Sequence, residues 1–311
     1  MADDLFTIAD FVSDALDVDP TMTSEVLNAS PFVARLPIGD TSDGSATHKY
    51  NKYTGAPVVG FRAANSGRDY DSSTDTVVTV DCKILDFSWK VDYAVANSWR
   101  KGPEDLIMRE GIRHLAAALF KIEQQCLYGT TSPGDSAGFA GFLTSTYLDA
   151  LADDMCIGAG GTTASQQSSV YGVRVGFDDC RLVTPSTMGI QLGETIVTES
   201  NEANYPVYYT PASMYIGFQM GGKYSVGRIA NISTTTDSKP LTDDLLSDLI
   251  SLFPANMGPQ LFVMNRTRRK DLQQSRTATN PTGAPAPFPD SAFNVPIIVT
   301  DALVDTEAVE T

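Results

Sequence analysis

The sequence is poor in the side chains on which catalysis and metal binding most often depend. Its 311 residues include only two histidines and four cysteines. His48 and His114 are far apart in the sequence, so no histidine-based catalytic triad or metal site is indicated. The cysteines are scattered without metal-ligand spacing, and we interpret them as small core residues that form no disulfide. They are Cys82, Cys126, Cys156 and Cys180. We therefore predict no catalytic, cofactor-binding or metal-binding residues.

Positive charge is also scarce. Lysine and arginine total 22 against 38 acidic residues, which gives a net charge of −16. Specific nucleic-acid binding normally requires a basic stripe, so it is excluded as the principal function. The acidity is strongest in residues 1–40, where eight acids accompany the single base Arg35. The one basic cluster, residues 266–270, begins a predicted helix, and we interpret it as a solvated face or a set of ion-pair partners.

Long hydrophobic runs are missing. No segment approaches the roughly 20 apolar residues that a membrane span requires. The N-terminus, residues 1–4, is acidic and lacks the basic start and apolar block of a secretory signal. We expect a protein that is made and used in the cytoplasm and that contacts no membrane.

Motifs for phosphate binding and acid–base chemistry are weak. The glycine cluster 158–162 lacks the lysine of a P-loop and the strand-to-helix context of a dinucleotide site, so we interpret it as a loop. Adjacent acids such as Asp153 and Asp154 favour turns and helix caps over catalysis. The sequence therefore predicts that the protein is not an enzyme.

A long strand-forming stretch, Thr76 to Tyr93, has an apolar face that switches sides between Ile84 and Leu85. Successive side chains of a strand point to opposite faces, so such a switch requires an extra residue, usually a β-bulge. The residues on one side before the switch are Val78, Val80, Cys82 and Ile84. Those on the other side after it are Leu85, Phe87, Trp89, Val91 and Tyr93. We predict a ribbon that changes direction here.

A long helix is predicted to follow at residues 104–128. Its apolar residues recur every three or four positions and form one continuous seam. They are Met108, Ile112, Leu115, Leu119, Ile122 and Cys126. At 1.5 Å per residue this helix is roughly 37 Å long, about the width of a small domain. A ribbon leading into such a rod indicates a structural component rather than a catalytic pocket.

Two further segments carry apolar side chains with little of their own to cover them. Residues 3–18 predict an amphipathic helix, and a second apolar patch at 26–36 follows, so we interpret this region as an arm that docks on another surface. The apolar piece Val58–Val59 and the run 77–84 predict the two arms of a hairpin with its tip near 65–69. An isolated hairpin is marginally stable, which makes a neighbouring subunit its natural partner, with a mobile surface loop as the alternative. Six residues are therefore predicted at a subunit interface: Phe11, Val12, Tyr50, Tyr53, Phe61 and Tyr70.

The second half of the chain mixes strands and helices without regular βαβ repetition, which predicts an α+β fold. Strands are expected within 168–184 and 205–232. Thr242 is the expected N-cap of a helix running to Phe253. A buried strand (260–265), a second helix to about Gln274 and a closing strand (295–300) are expected beyond it, with a proline-rich surface loop between the last two.

The order of these elements resembles the major capsid proteins of tailed bacteriophages, whose fold is shared with encapsulins and the herpesvirus capsid floor. The resemblance covers essentially the whole chain, and Thr7–Phe11, His48–Tyr53, Cys82–Tyr93 and Leu127–Gly129 carry most of it. It implies an N-arm, an extended E-loop hairpin, a P-domain with a long spine helix, and an A-domain. The implied division is 1–40 N-terminal arm, 41–82 E-loop hairpin, 83–141 P-domain strand and spine helix (104–128), 142–205 first segment of the A-domain, 206–235 P-domain sheet segment, and 236–311 second segment of the A-domain with the C-terminus.

The resemblance implies a shell-forming protein that self-assembles into pentamers and hexamers of an icosahedral head around double-stranded DNA, without sequence-specific DNA binding. Its implied partners are further copies of itself and separate scaffolding, portal and decoration proteins. The implied location is the virion, after assembly in the bacterial cytoplasm. Two alternatives stay open: an encapsulin-type compartment that stores an enzyme, and a carbohydrate-active surface protein suggested only by the many serine, threonine and tyrosine residues.

Overall fold

The computed structural model describes residues 30–186, 189–199, 205–234, 239–280 and 284–310. The predicted amphipathic helix at 3–18, with Phe11 and Val12, lies outside the described residues.

Four α-helices occur in the described part of the chain. They are α1 (Tyr93–Ser98), α2 (Pro103–Tyr128), α3 (Asp243–Ser251) and α4 (Arg266–Ala278). The side chains of Asp92, Thr242 and Asn265 cap the starts of α1, α3 and α4 by accepting backbone N–H groups. The long predicted helix and the Thr242 cap are confirmed, whereas α4 continues four residues past the expected Gln274.

The α2 helix begins and ends at residues suited to those positions. Pro103 occupies its first turn, where no backbone N–H is needed, and Glu104 and Asp105 place negative charge at the positive end of the helix. Gly129 follows the last turn with a φ of 59°, a left-handed conformation that glycine adopts without strain.

The described strands are short and form four sheets. The strands are β1 (Ile38–Asp40), β2 (Thr47–Gly55), β3 (Thr74–Asp81), β4 (Lys83–Asp86), β5 (Trp89–Asp92), β6 (Cys156–Gly158), β7 (Gln167–Val173), β8 (Cys180–Thr184), β9 (Gln191–Leu192), β10 (Ile196–Glu199), β11 (Pro206–Thr210), β12 (Ala212–Met220), β13 (Val226–Ser233), β14 (Leu261–Met264), β15 (Ser291–Ala292) and β16 (Val295–Val299). The largest sheet has the order β15-β16-β14-β7-β13-β6, and a second has the order β1-β8-β12-β4 with β9 also paired to β12. The smaller two are β10-β11-β5 and the hairpin β2-β3. This mixture of parallel and antiparallel pairs confirms the α+β class.

The main core lies where the C-terminal half of α2 meets the two larger sheets. Its fully buried side chains include Cys126, Phe142, Tyr171, Ile229 and Phe262. A smaller core packs β5 and α1 against the N-terminal half of α2 through Phe87, Trp89, Val91, Trp99 and Leu106. All four cysteines are free and buried, which confirms their interpretation as core residues.

The predicted face switch is present, but a strand break produces it in place of a bulge. Cys82 is buried, Ile84 is exposed, and the buried positions resume at Phe87 and Trp89 on the other phase. The chain leaves the hairpin after Asp81 and pairs with a different strand, β12, from Lys83 onward. Because the chain changes its pairing partner from β2 to β12, it changes direction without an inserted residue.

Two expectations about the first 60 residues are wrong. Phe32, Val33 and Leu36 are buried in the main core of their own chain, so the described part of this patch belongs to the body of the subunit and not to a docking arm. Val58 and Val59 lie in the segment that connects β2 to β3, because the first arm of the hairpin is Thr47–Gly55. The turn of the hairpin predicted near residues 65–69 does fall within this connecting segment.

The division into domains stays a prediction. The pairing of β13 with β7 joins the proposed P-domain sheet segment to the proposed first segment of the A-domain in one sheet. The pairing of β14 with β7 joins that same sheet to the last proposed segment.

Candidate assembly surfaces

The hairpin is a ribbon of two strands that pair with each other. Its register runs from Thr47 opposite Asp81 to Gly55 opposite Thr74, with an irregularity after Tyr53. Residues 56–73 close its far end. No third strand of the described chain pairs with either arm, so backbone pairing gives the far end no support beyond the ribbon itself.

The far end of the hairpin, which we call the tip (residues 53–77), exposes a cluster of large apolar side chains. Phe61 is fully exposed, and Val59 and Tyr70 each have 84% of their surface exposed. The other members of the cluster are Tyr53, Val58 and Val77. Three of the six predicted interface residues, Tyr53, Phe61 and Tyr70, are therefore exposed on the tip. Exposed clusters of this kind mark interaction sites.

Arg68 gives the tip local order. Its guanidinium donates hydrogen bonds to the carbonyl oxygens of Gly60 (3.2 Å) and Val58, and it lies 5.5 Å from the centre of the Tyr70 ring. These contacts hold both sides of the closing segment together and leave the apolar side chains pointing to solvent.

Tyr50 differs from Tyr53, Phe61 and Tyr70 because it is half-buried against the body of its own subunit. Its hydroxyl donates a 2.6 Å hydrogen bond to the carbonyl oxygen of Met220 in β12, and burial raises the pKa of Tyr50 to about 12. Two positions further along β2, the Lys52 ammonium donates to the Tyr147 hydroxyl at 3.0 Å and lies 4.6 Å from its ring centre. Tyr50 thus fastens the root of the hairpin to the body, and its involvement in a subunit interface stays a prediction.

The α2 helix carries a second exposed apolar surface. Its seam is buried from Ile122 onward, yet Met108 and Ile112 are 69% and 61% exposed. Leu115, one turn further, is also exposed. The seam is therefore covered by its own chain over only half of its length.

This exposed half of the seam forms one wall of a groove with a volume of about 710 Å³. We call this space the α2 groove. Phe87, Trp89 and Tyr208 contribute to its lining from the sheet beside α2. Ile190 and Leu192 contribute from the segment around β9. The lining is mainly apolar, so the groove suits an apolar occupant.

Some residues of these two surfaces were not selected by any pattern in the sequence. They are Ile190 and Leu192, each a large apolar residue in a short segment flanked by glycine or polar residues. That local context is the only signal by which they could have been found.

Neither a metal-binding cluster nor a membrane-spanning helix occurs in the described part of the chain. Among the described residues, no three or more histidine, cysteine or acidic side chains are grouped as a metal ion would need. No described helix is long and apolar enough to cross a bilayer. The basic cluster at the start of α4 forms ion pairs, including Arg266 with Asp301 and Arg268 with Asp271, which confirms its interpretation as a set of ion-pair partners.

The fold is that of bacteriophage capsid proteins. The structure of bacteriophage epsilon15 matches 100% of this chain and 99% of its own chain, with a TM-score of 0.66 and 18% sequence identity. The capsid of bacteriophage JBD30 decorated with minor capsid protein trimers matches 96% of this chain and 100% of its own, with a TM-score of 0.58 and 12% identity. A second JBD30 capsid structure has a TM-score of 0.51 and 11% identity, and covers 94% of this chain and 97% of its own. No curated protein matches the chain.

The chain belongs to the family described as Major capsid protein GP7, whose sequence profile matches residues 22–310. Its function is therefore structural: it is a capsid-forming protein of the tailed-phage type and a component of the virion. This membership favours the capsid over the encapsulin-type compartment. The tip and the α2 groove are two of the described surfaces on which such a subunit has apolar area left to bury.

Proposed function

We propose that this protein assembles, without catalytic chemistry, into pentamers and hexamers of an icosahedral head that encloses double-stranded DNA. Contacts between two different surfaces of identical copies build rings when the rotation from copy to copy closes, which supports this arrangement. The net charge of −16 also supports it, since a basic wall would bind the packed DNA. Assembly takes place in the host cytoplasm, with separate scaffolding, portal and decoration proteins as partners.

The contact that builds the rings places the tip of one subunit in the α2 groove of its neighbour. The observation that carries this proposal is the presence of two unpartnered apolar surfaces on one chain. Phe61 and Val59 protrude from a ribbon, while Met108 and Ile112 line a concave surface. Burying one fully exposed phenylalanine side chain contributes about 1.5–3 kcal/mol. Each contact is modest, and many repeated contacts together hold a shell.

The N-terminal segment adds to these contacts. Phe11 and Val12 are the proposed contact residues of the acidic arm, which is attracted to basic patches on neighbouring subunits. The proposal for the arm depends on the amphipathic pattern of the sequence alone.

The experiment compares two substitutions at the tip. Phe61→Ser removes the apolar side chain, and Phe61→Leu keeps an apolar surface at the same position. Because Phe61 is fully exposed in the lone subunit, both variants should unfold within about 0.5 kcal/mol of the wild type. Electron microscopy and sedimentation should show shells for Phe61→Leu and soluble subunits or small oligomers for Phe61→Ser. Normal shells from Phe61→Ser, at wild-type yield and concentration dependence, would contradict the proposed contact.

A further inference from the structure

The root of the hairpin is fastened to the body by a histidine that reaches residues distant in the sequence. His48, the second residue of β2, is almost fully buried. Its Nε2 lies 2.9 Å from Oε1 of Gln219 in β12, and its Nδ1 accepts the backbone N–H of Ser42 at 3.0 Å. Arg181 of β8 completes the cluster by donating from Nε to the same Gln219 oxygen at 2.8 Å. We call these four residues the root cluster.

The hydrogen bonds of the root cluster fix the protonation state of His48. Since Nδ1 accepts a hydrogen bond from Ser42, the ring proton of neutral His48 is on Nε2, where it is donated to Gln219. A second proton could be added only at Nδ1, where it would face the Ser42 N–H group. The new positive charge would also lie next to Arg181, whose Nη2 is 3.1 Å from Nε2 of His48. Protonation therefore removes one hydrogen bond and adds a repulsion.

The charged and titratable groups around His48 on each neighbouring element favour the neutral ring overall. Arg181 on β8 opposes protonation, Gln219 on β12 is uncharged, and Tyr50 on β2 stacks at 5.9 Å between ring centroids. Asp43, in the turn before β2, is an acid that favours protonation, but it is exposed and is held by Ser45. Burial, together with Arg181, lowers the pKa of His48 below its ordinary value, against the hydrogen bond that His48 donates to Gln219 and the charge of Asp43.

We propose that the root cluster is a pH-sensitive latch, in which neutral His48 holds the hairpin against the body of the subunit and protonated His48 releases it. The latch lies where the chain turns out of the body: the Cys82 N–H donates to Ala46 at 2.7 Å beside it, and β2 and β3 extend away from this point. Loss of the His48 contacts leaves the side chains of Tyr50 and Lys52 to hold β2 on the body, so the hairpin can pivot about these two contacts and shift its tip. Acid thus frees the hairpin to change its angle.

The direction and limit of the effect follow from linkage. A latched pKa below the ordinary 6.5 means that the stabilisation is present above about pH 6.5 and is lost as the pH falls through the latched pKa. Between about pH 7.5 and about pH 5.5 the ratio of released to latched hairpin rises by up to about tenfold, the limit for a released histidine of ordinary pKa.

Hydrogen exchange of the full-length, unassembled subunit tests the latch. Peptides covering residues 41–52 should lose up to about tenfold protection over this pH range, after correction for the intrinsic pH dependence of exchange. His48→Asn keeps an oxygen that can accept from Ser42 and cannot titrate, so its protection should not depend on pH. His114→Asn is the matched control, because it removes the only other histidine and should respond as the wild type does. Wild-type protection that changes less than about twofold, or an equal response in His48→Asn, would overturn the proposal.

A second measurement covers the case in which His48→Asn does not fold. The titration of the His48 imidazole, followed by NMR in wild type and Arg181→Gln, should have a midpoint below 6.5 in the wild type and a higher midpoint in the variant. A wild-type midpoint at or above 6.5, or no shift in Arg181→Gln, would overturn the latch. A role of the latch in assembly depends on the proposed tip contact, whereas these measurements use single subunits. A latch that responds to acid in a protein whose Phe61→Ser variant still forms shells would refute the tip contact alone.

Discussion

The carboxylate of Glu123 in α2 accepts the backbone N–H of Phe32 at 3.0 Å. The same oxygen accepts the N–H of Val33 at 3.1 Å, and the other oxygen accepts the hydroxyl of Thr300. All of these groups are buried. One side chain of the long helix therefore ties the start of the described chain and its C-terminal region to the same point of the core. Glu123 is not one of the apolar residues that form the seam of the helix. The periodicity of the sequence therefore does not identify it as a core residue.

Glu123→Ala should destabilise the subunit by about 3 kcal/mol, because it leaves three buried donors without acceptors. Glu123→Gln, which retains one acceptor oxygen, should cost less. Urea unfolding monitored by tryptophan fluorescence measures both. The control is Glu104→Ala on the exposed first turn of the same helix, with an expected cost below about 1 kcal/mol. A loss of less than about 1 kcal/mol in Glu123→Ala would show that the three hydrogen bonds do not hold this junction.

Truncation at two positions separates the arm from the body. Removal of residues 1–29 leaves every described residue in place and should give folded subunits that assemble poorly. Removal of residues 1–38 also deletes Phe32, Val33 and Leu36, each of which contributes about 1.5–3 kcal/mol by its burial. The longer truncation should therefore lower the midpoint of thermal unfolding strongly or prevent folding. Equal thermal stability of both truncated proteins would show that this patch does not belong to the core.

Gly111→Ala reverses the usual effect of alanine in a helix. Alanine is favoured over glycine by about 1 kcal/mol in a helix interior. Here, however, a Cβ atom would lie 2.8 Å from Cζ2 of Trp89. Overpacking of this kind costs about 1–3 kcal/mol, so the variant should be less stable than the wild type in urea unfolding. Trp89→Leu in the same chain should remove most of the additional loss. A stabilised Gly111→Ala variant would mean that the ring is free to move aside.

Arg228→Met should show a stability loss that shrinks in acid. The Arg228 guanidinium is buried 3.5 Å from Glu307 and 3.0 Å from Glu310, and its removal leaves a buried carboxylate at a cost of about 3–5 kcal/mol near neutral pH. Burial raises the pKa of Glu307, and Arg228 opposes that rise. Without Arg228 the pKa of Glu307 in the folded state rises further above its value in the unfolded state. Protonation of Glu307 therefore recovers part of the lost stability of the variant as the pH falls toward about 4.5.

Guanidinium unfolding at about pH 7 and about pH 5 checks this, with wild type at both values as the control. If the stability loss of Arg228→Met relative to wild type stayed constant or grew in acid, Glu307 would not be the buried carboxylate that the substitution leaves unpaired.

The sequence predicted the local elements well, since the signals for α2, for the Thr242 cap and for the hairpin lie within each segment. It could not show which surfaces the chain covers itself. The apolar seam from Met108 to Cys126 has one unbroken period. Periodicity shows that a face of the helix is apolar but not which part of the protein covers it. The structure buries Cys126 in the main core and leaves Met108 exposed, because the smaller core on the N-terminal half of α2 covers Leu106 and not the seam.

The same limit explains the early apolar patch and the root cluster. Phe32 and Leu36 look like components of an arm because Pro37 and Gly39 separate them from the strands that follow, yet the core that receives them is built from much later residues. His48 and Gln219 are 171 positions apart, and neither belongs to a recognisable motif. Long-range contacts of this kind depend on the tertiary fold, which local patterns do not encode.

Disulfide formation between two subunits is the sharpest test of the contact between the tip and the α2 groove. One population carries Phe61→Cys at the tip and another carries Met108→Cys in the α2 groove, and the two are co-assembled and oxidised. The four native cysteines are buried and should contribute little background. A disulfide requires Cα atoms within about 7 Å, so the proposed contact predicts linked dimers in mixed shells and none when Phe61→Cys is mixed with Phe288→Cys. The same test is repeated with a neighbouring pair, Val59→Cys and Ile112→Cys. Mixed shells that form normally but contain no linked dimers with either pair would contradict the proposed contact.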